Sequence, residues 1–191
     1  RPESVVKELL ENAVDANAAS IELIVKQAGK SLIQVCDDGS GMTEEEALLC
    51  IHKHATSKIS SMEDLESIKT LGFRGEALSS IASVCQLEIR TETRDAEIGT
   101  LLKIESENEI TTEKISTSKG TCVAVKNMFY NIPARRKFLK TDNTELKHII
   151  DTFNRIALAH PEIAFKFYNS ENLIFDYAIG TLEERIEQIF A

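Results

Sequence analysis

Residues Ser4 to Ala16 read S-V-V-K-E-L-L-E-N-A-V-D-A. Val6, Leu9, Leu10 and Ala13 recur at the spacing of one helix face, so the stretch predicts an amphipathic helix with that face in the core. Glu8, Asn12 and Asp15 stand at i, i+4 and i+7 and form one polar stripe opposite it. A solvated helix face has the same pattern. A carboxylate one turn from an amide oxygen also suits a pair in which one group polarises water and the other ligates a hard cation. Pro2 fits the first turn, and Asn17 suits the left-handed residue that ends the helix.

Downstream, Ile21, Leu23 and Val25 alternate with polar residues and predict a strand. Ala28-Gly29-Lys30 turns the chain into a second strand, Leu32 to Asp37, which completes a hairpin. Ile33, Val35 and Asp37 then share the core face. An inward carboxylate is costly without a donor, and no basic residue lies beside Asp37; a ligand amino group would serve. Gly39 and Gly41 follow in D-D-G-S-G, where glycine permits a tight turn and the close approach of a flat ligand. Thr43 to Glu46 forms a capping box for a helix to about His52. His52 and His54 are two apart and read as surface residues, not metal ligands. After A-T-S-K at Ala55 to Lys58 comes a helical piece near Met62 to Ile68.

The segment Leu71-Gly72-Phe73-Arg74-Gly75-Glu76-Ala77-Leu78 runs into a helix to Val84. Two glycines before a helix make a plain tight turn, or they expose N–H groups that suit phosphate, with Thr56, Ser57, Lys58 and Arg74 as further donors. No G-x-x-x-x-G-K-[ST] occurs, so this is not a P-loop. The stretch Lys53 to Leu71 holds few large apolar residues and buries too little to offset its own ordering entropy, so it predicts a segment ordered by a bound ligand. Strands follow at Leu87–Thr91, Leu101–Ile104, Ile110–Ile115 and Thr121–Val125. The loop F-Y-N-I-P-A-R-R-K-F-L, Phe129 to Leu139, is aromatic and basic; it suits nucleic acid or an anchor on its own core. Thr144 then caps a long helix stopped by Pro161. Strands at Ile163–Phe167 and Leu173–Tyr177 and a helix capped by Thr181 complete the chain.

The 191 residues carry a formal net charge of -9, which makes the chain a poor independent binder of nucleic acid. Any such contact needs a local patch, here Arg135, Arg136, Lys137 and Lys140, or other parts of a larger protein. Cys36, Cys50, Cys85 and Cys122 are widely spaced and read as reduced packing residues. No apolar run is long enough to span a membrane. Arg1-Pro2 without a methionine predicts a fragment.

The blocks K-E-L-L-E-N-A-x-D-A, D-D-G-S-G, H-A-T-S-K, G-F-R-G-E-A-L and F-Y-N-I-P-A-R-R-K-F-L, in this order, resemble the N-terminal ATPase domain of the MutL mismatch-repair proteins, in the group that includes gyrase B, Hsp90 and histidine kinases. The resemblance implies a two-layer α/β (α+β) sandwich, with a mixed, largely antiparallel sheet and helices on one face (a Bergerat-type ATPase fold). It implies an ATP-binding domain at 1–180 and, at 181–191, the start of a connection to a second domain. Glu8 would be the general base and Asn12 the magnesium ligand. Asp37 would accept from the adenine amino group, with Gly39, Gly41 and Met42 against the base and Thr121 as a second adenine-side contact. Thr56, Ser57, Lys58 and Gly72, Phe73, Arg74, Gly75, Glu76, Ala77 and Leu78 would form the lid and phosphate cradle. The implied cofactors are ATP/ADP and Mg2+. The implied activity is slow, dimerisation-coupled ATP hydrolysis in a homodimeric or heterodimeric clamp that links MutS to a downstream nuclease or helicase. DNA contact would be weak, and the protein cytoplasmic (nucleoid-associated) if bacterial and nuclear if eukaryotic. A non-hydrolysing nucleotide-sensing scaffold and a histidine-kinase-type catalytic domain are the alternatives. Two positions depart from the family: Asp38 stands where Asn is usual, and Asn17 where Gly is usual. An extra carboxylate at 38 near the base pocket would weaken affinity.

Overall fold

The computed structural model describes residues 1–51, 77–106 and 109–190. Helix α1 spans Pro2–Asp15 and buries Val5, Val6, Leu9, Leu10 and Ala13. It ends as the sequence predicts. Asn17 takes φ 56°, its N–H donates to Val14 O at 2.9 Å, and Ala18 N–H donates to Ala13 O at 3.4 Å. These two bonds satisfy carbonyls that the last turn would leave open.

Eight strands form one sheet: β1 Ser20–Lys26, β2 Leu32–Asp37, β3 Gln86–Glu92, β4 Gly99–Ser106, β5 Glu109–Ile115, β6 Gly120–Lys126, β7 Ala164–Asn169 and β8 Asn172–Tyr177. The order is β5-β4-β3-β6-β2-β1-β7-β8. Among the described residues only the β1–β7 pair is parallel. The remaining helices among the described residues are α2 (Glu44–Leu49), α3 (Ala77–Ala82), α4 (Pro133–Lys137), α5 (Asp142–Ala159) and α6 (Leu182–Phe190). Ile21, Leu23, Val25, Ile33, Val35, Phe165 and Phe167 bury in one cluster with the apolar faces of α1 and α5. Each such side chain contributes about 1.5–3 kcal/mol relative to exposure. A register slip of one residue would turn a whole strand's set outward, so the alternation fixes the pairing. Phe153 of α5 packs among Phe165, Phe167, Phe175 and Tyr177 at ring-centroid distances of 5.2–6.1 Å and seats that helix on β7 and β8. The expected two-layer α/β architecture is present.

The capping box at α2 forms as expected: Glu46 N–H donates to Thr43 Oγ1 at 3.2 Å, and Thr43 N–H donates to Glu46 Oε2 at 2.8 Å. Several local expectations change. Thr141, not Thr144, caps α5, because its Oγ1 accepts the Thr144 N–H. The predicted 129–139 loop contains α4, which Pro133 starts at a position where a missing N–H costs nothing. The β1–β2 connection is a 3₁₀ turn, Gln27–Gly29, with Gln27 and Ala28 at positive φ. Cys36 and Cys122 oppose each other across β2 and β6 and are joined as a disulfide, S–S 2.05 Å, against the reading of four reduced cysteines. Their sequence separation of 86 hides that pairing from any local spacing argument. Cys50 and Cys85 are free. Among the described residues no helix is long and apolar enough to cross a membrane.

Candidate functional site

The site grows from the junction of α1 with the end of β2. Strand period places Asp37 on the inner face with Ile33 and Val35, and its carboxylate Oδ1 accepts the Gly39 N–H at 2.9 Å. Burial pushes the Asp37 carboxyl from 3.8 up to about 6, against the pull of the Gly39 and Thr121 backbone N–H groups; the neighbouring Asp38 charge adds a smaller upward push. The carboxylate is therefore largely ionised at neutral pH and keeps acceptor capacity beyond those two N–H groups.

The turn after Asp37 is clasped to α1. Ser40 N–H donates to Ala16 O at 2.9 Å. Asp38 Oδ1 accepts the N–H groups of Ala19 and Ser20 at 2.8 and 2.9 Å. The Asp38 carboxylate is thus engaged at the entry to β1, and its charge still reaches Asp37. The glycines answer to the protein's own backbone. A Cβ at Gly39 would lie 2.6 Å from Ala16 O, and one at Gly41, where φ is +70°, would lie 2.2 Å from Glu92 O.

Asp37, Thr121 and Thr91 lie in register across β2, β6 and β3. Thr91 was not singled out from the sequence. It is 1% exposed, and its Oγ1 accepts the Met42 N–H at 2.8 Å and lies 3.0 Å from Thr121 Oγ1 and 3.2 Å from Gly120 O. Its cross-strand position opposite Thr121 was the only available signal, and it requires the strand pairing to be known.

Along α1, Glu8, Asn12 and Asp15 are half-buried on one stripe. Among the described residues, no hydrogen bond or ion pair engages the Glu8 carboxylate or the Asn12 side-chain amide. From Ala16, where the turn touches α1, to Glu8 is about 12 Å along the helix axis. Ala77 and Leu78 open α3, with Leu78 packed against the core. Thr56, Ser57, Lys58, Gly72, Phe73, Arg74, Gly75 and Glu76 lie outside the described residues, as do the predicted lid and the helical piece at 62–68. No cluster of three or more His, Cys, Asp or Glu suits a metal ion among the described residues.

The model of the histidine kinase-, DNA gyrase B- and HSP90-like ATPase family matches residues 1–128. The chain is 52% identical over 189 residues to DNA mismatch repair protein MutL of Christiangramia forsetii, covering 99% of this chain and 31% of that protein. It is 52% identical over 191 residues to MutL of Flavobacterium johnsoniae, covering 100% and 30%. Its fold superimposes on the Aquifex aeolicus MutL ATPase domain complexed with ADP at TM-score 0.81 and 31% identity, covering all of this chain and 68% of that one. The chain belongs to the MutL branch of this ATPase family. It spans about a third of the length of the curated MutL relatives it matches.

If the nucleotide base donates to the half-buried Asp37, this MutL-type domain has a pH dependence. Nucleotide affinity is expected to hold above pH 6 and to fall, approaching tenfold per pH unit, as the carboxylate protonates below about 6. Asp37→Asn should bind weakly and remove that slope, which separates it from titration of the nucleotide's own phosphates. Calorimetric titration from pH 7.5 to 5 checks both; a flat wild-type profile would count against Asp37 as the acceptor.

The 129–140 segment divides by residue type. Its aromatic start is anchored: Tyr130 OH donates to Glu105 O, Asn131 Nδ2 to Ser83 O, and Phe129 packs against the core. Its basic end is open. Arg135, Arg136, Lys137 and Lys140 are exposed, Phe138 is 87% exposed, and among the described residues none of the four cations enters an ion pair. The segment closes on buried Glu145, whose Oε1 accepts the Lys140 N–H at 2.8 Å.

Proposed function

We propose that the chain binds ATP at the Asp37 end of the sheet and hydrolyses it with magnesium, as the nucleotide-driven part of a mismatch-repair clamp. The observation that carries this reading is the half-buried, inward Asp37 carboxylate, clasped by its own turn to a helix bearing a half-buried carboxylate and amide on one stripe. Asp37 accepts the adenine amino group, and Thr121 meets the base beside it. Met42 and the turn at Gly39 and Gly41 frame the base pocket. Asn12 offers an amide oxygen without a protein partner among the described residues, which fits a hard cation. When bound, magnesium neutralises charge on the phosphate oxygens. Glu8 lies one turn further along α1; it orients a water toward the terminal phosphate and takes its proton. The cradle of Thr56, Ser57, Lys58 and Gly72 to Leu78 donates to the phosphates.

The retained Glu8 favours hydrolysis over a non-hydrolysing scaffold, and the likeness to MutL proteins favours repair over a kinase. In the clamp, ATP favours pairing with a second MutL-type chain and passes the signal from MutS to a nuclease or helicase. The direct test is magnesium-dependent phosphate release from ATP, with Glu8 present and absent.

DNA contact through this domain is weak and confined to Arg135, Arg136, Lys137 and Lys140. Neutralising all four is expected to abolish binding of a short duplex at low salt and to remove a salt slope of roughly 3. Tight binding at physiological salt, or a slope unchanged in the variant, would refute the patch.

A further inference from the structure

We infer that Thr91 is a positioning residue for base selection, acting through Thr121. The inference rests on the adenine reading of Asp37 and Thr121 given above. Thr91 is buried between β6 and the 39–42 turn, and its hydroxyl has three polar neighbours. The Met42 N–H can only donate, so it takes one Thr91 lone pair. Gly120 O can only accept. Thr121 Oγ1 can do either, and Thr91 has a single proton to give.

Two arrangements follow. If Thr91 donates to Gly120 O, Thr121 must spend its own proton on Thr91 and presents only lone pairs outward. If Thr91 donates to Thr121, the Thr121 proton is released toward the pocket. The second arrangement matches adenine, which offers a ring-nitrogen acceptor beside the amino group that Asp37 takes. It opposes hypoxanthine, which has a ring N–H and a carbonyl at those places. Both contacts lie within hydrogen-bond range, 3.2 Å to Gly120 O and 3.0 Å to Thr121 Oγ1, so the free protein admits either arrangement and a bound adenine selects the second. Thr91 also ties the Met42 backbone to β3, so one hydroxyl sets both the wall of the pocket and the polarity of its second contact.

The test measures equilibrium binding of ATP and of inosine triphosphate to the full chain. Thr91→Val removes the hydroxyl at nearly constant shape. It should weaken ATP by about five- to tenfold while leaving inosine triphosphate within about twofold, so that discrimination falls. Thr91→Ser should restore it. Thr121→Val should lower discrimination by a similar factor, and Thr91→Val in that background should add nothing further. Thermal unfolding monitors the fold; Thr91→Ala carries the same expectation if the valine variant does not fold. Equal loss for both nucleotides, or discrimination unchanged by Thr91→Val while Thr121→Val lowers it, overturns the role of Thr91. A wild-type chain that binds both nucleotides equally overturns the adenine reading itself, and this inference with it.

Discussion

Replacing Glu8 with alanine is expected to leave ATP binding nearly intact and to cut turnover by roughly 10²–10⁴-fold, the usual cost of losing a general base. The base handles a proton only as the terminal phosphate is attacked, so ground-state binding does not need it. Glu8 lies on the half-buried stripe of α1, away from the face formed by Leu9, Leu10 and Ala13. Its removal therefore opens no cavity in the core. Asn12 and Asp37 remain, so the base and metal contacts proposed for them are untouched. Phosphate release and ATP affinity measured on the same preparation separate the two effects. Turnover within a factor of about two of wild type would take Glu8 out of the role.

Arg185→Ala is expected to destabilise the chain by about 3–5 kcal/mol. Arg185 is fully buried. Its guanidinium donates to the carbonyls of Ala157, His160, Pro161, Ile163 and Ala178 and sits 5.5 Å from the ring centroids of Phe165 and Tyr177. Ala157 O and His160 O belong to the C-terminal end of α5, where the helix dipole favours a cation. One side chain thus caps α5, holds the entry to β7 and the exit of β8, and ties α6 to all three. Alanine leaves buried carbonyls without donors and a cavity between two rings. The thermal midpoint should drop by roughly 6–20 °C for a chain of this size. A loss below about 1 kcal/mol would show that water or neighbouring groups take over those carbonyls.

The contrast between these two residues shows what the sequence makes legible. The α1 stripe and the inward Asp37 follow from helix and strand periods, because burial of one face dictates the pattern over a dozen residues. The central strands of the described residues announce themselves by alternation for the same reason, whereas β5 is exposed along nearly its whole length and reads as a strand only by its β-branched residues. Arg185 stands in E-E-R-I-E and reads as an ordinary exposed cation; its burial depends on carbonyls up to 28 residues away that converge only in the fold. Thr91 and Thr121 are 30 residues apart and meet through strand register. Cys36 and Cys122 pair for the same non-local reason. Asp38 follows β2 in the turn, and its carboxylate accepts from Ala19 and Ser20, 19 and 18 residues earlier, which no local pattern foretells. The glycines of D-D-G-S-G were correctly marked as close-approach positions, but the approaching atoms belong to Ala16 and Glu92.

The most direct measurement is a crystal structure of the chain with ADP and magnesium. The account predicts the adenine amino group on the Asp37 carboxylate, the base beside Thr121 and Met42, and the phosphates running along α1 toward Glu8 with the metal at Asn12. A nucleotide bound elsewhere, or a base that leaves Asp37 without a donor, would contradict it.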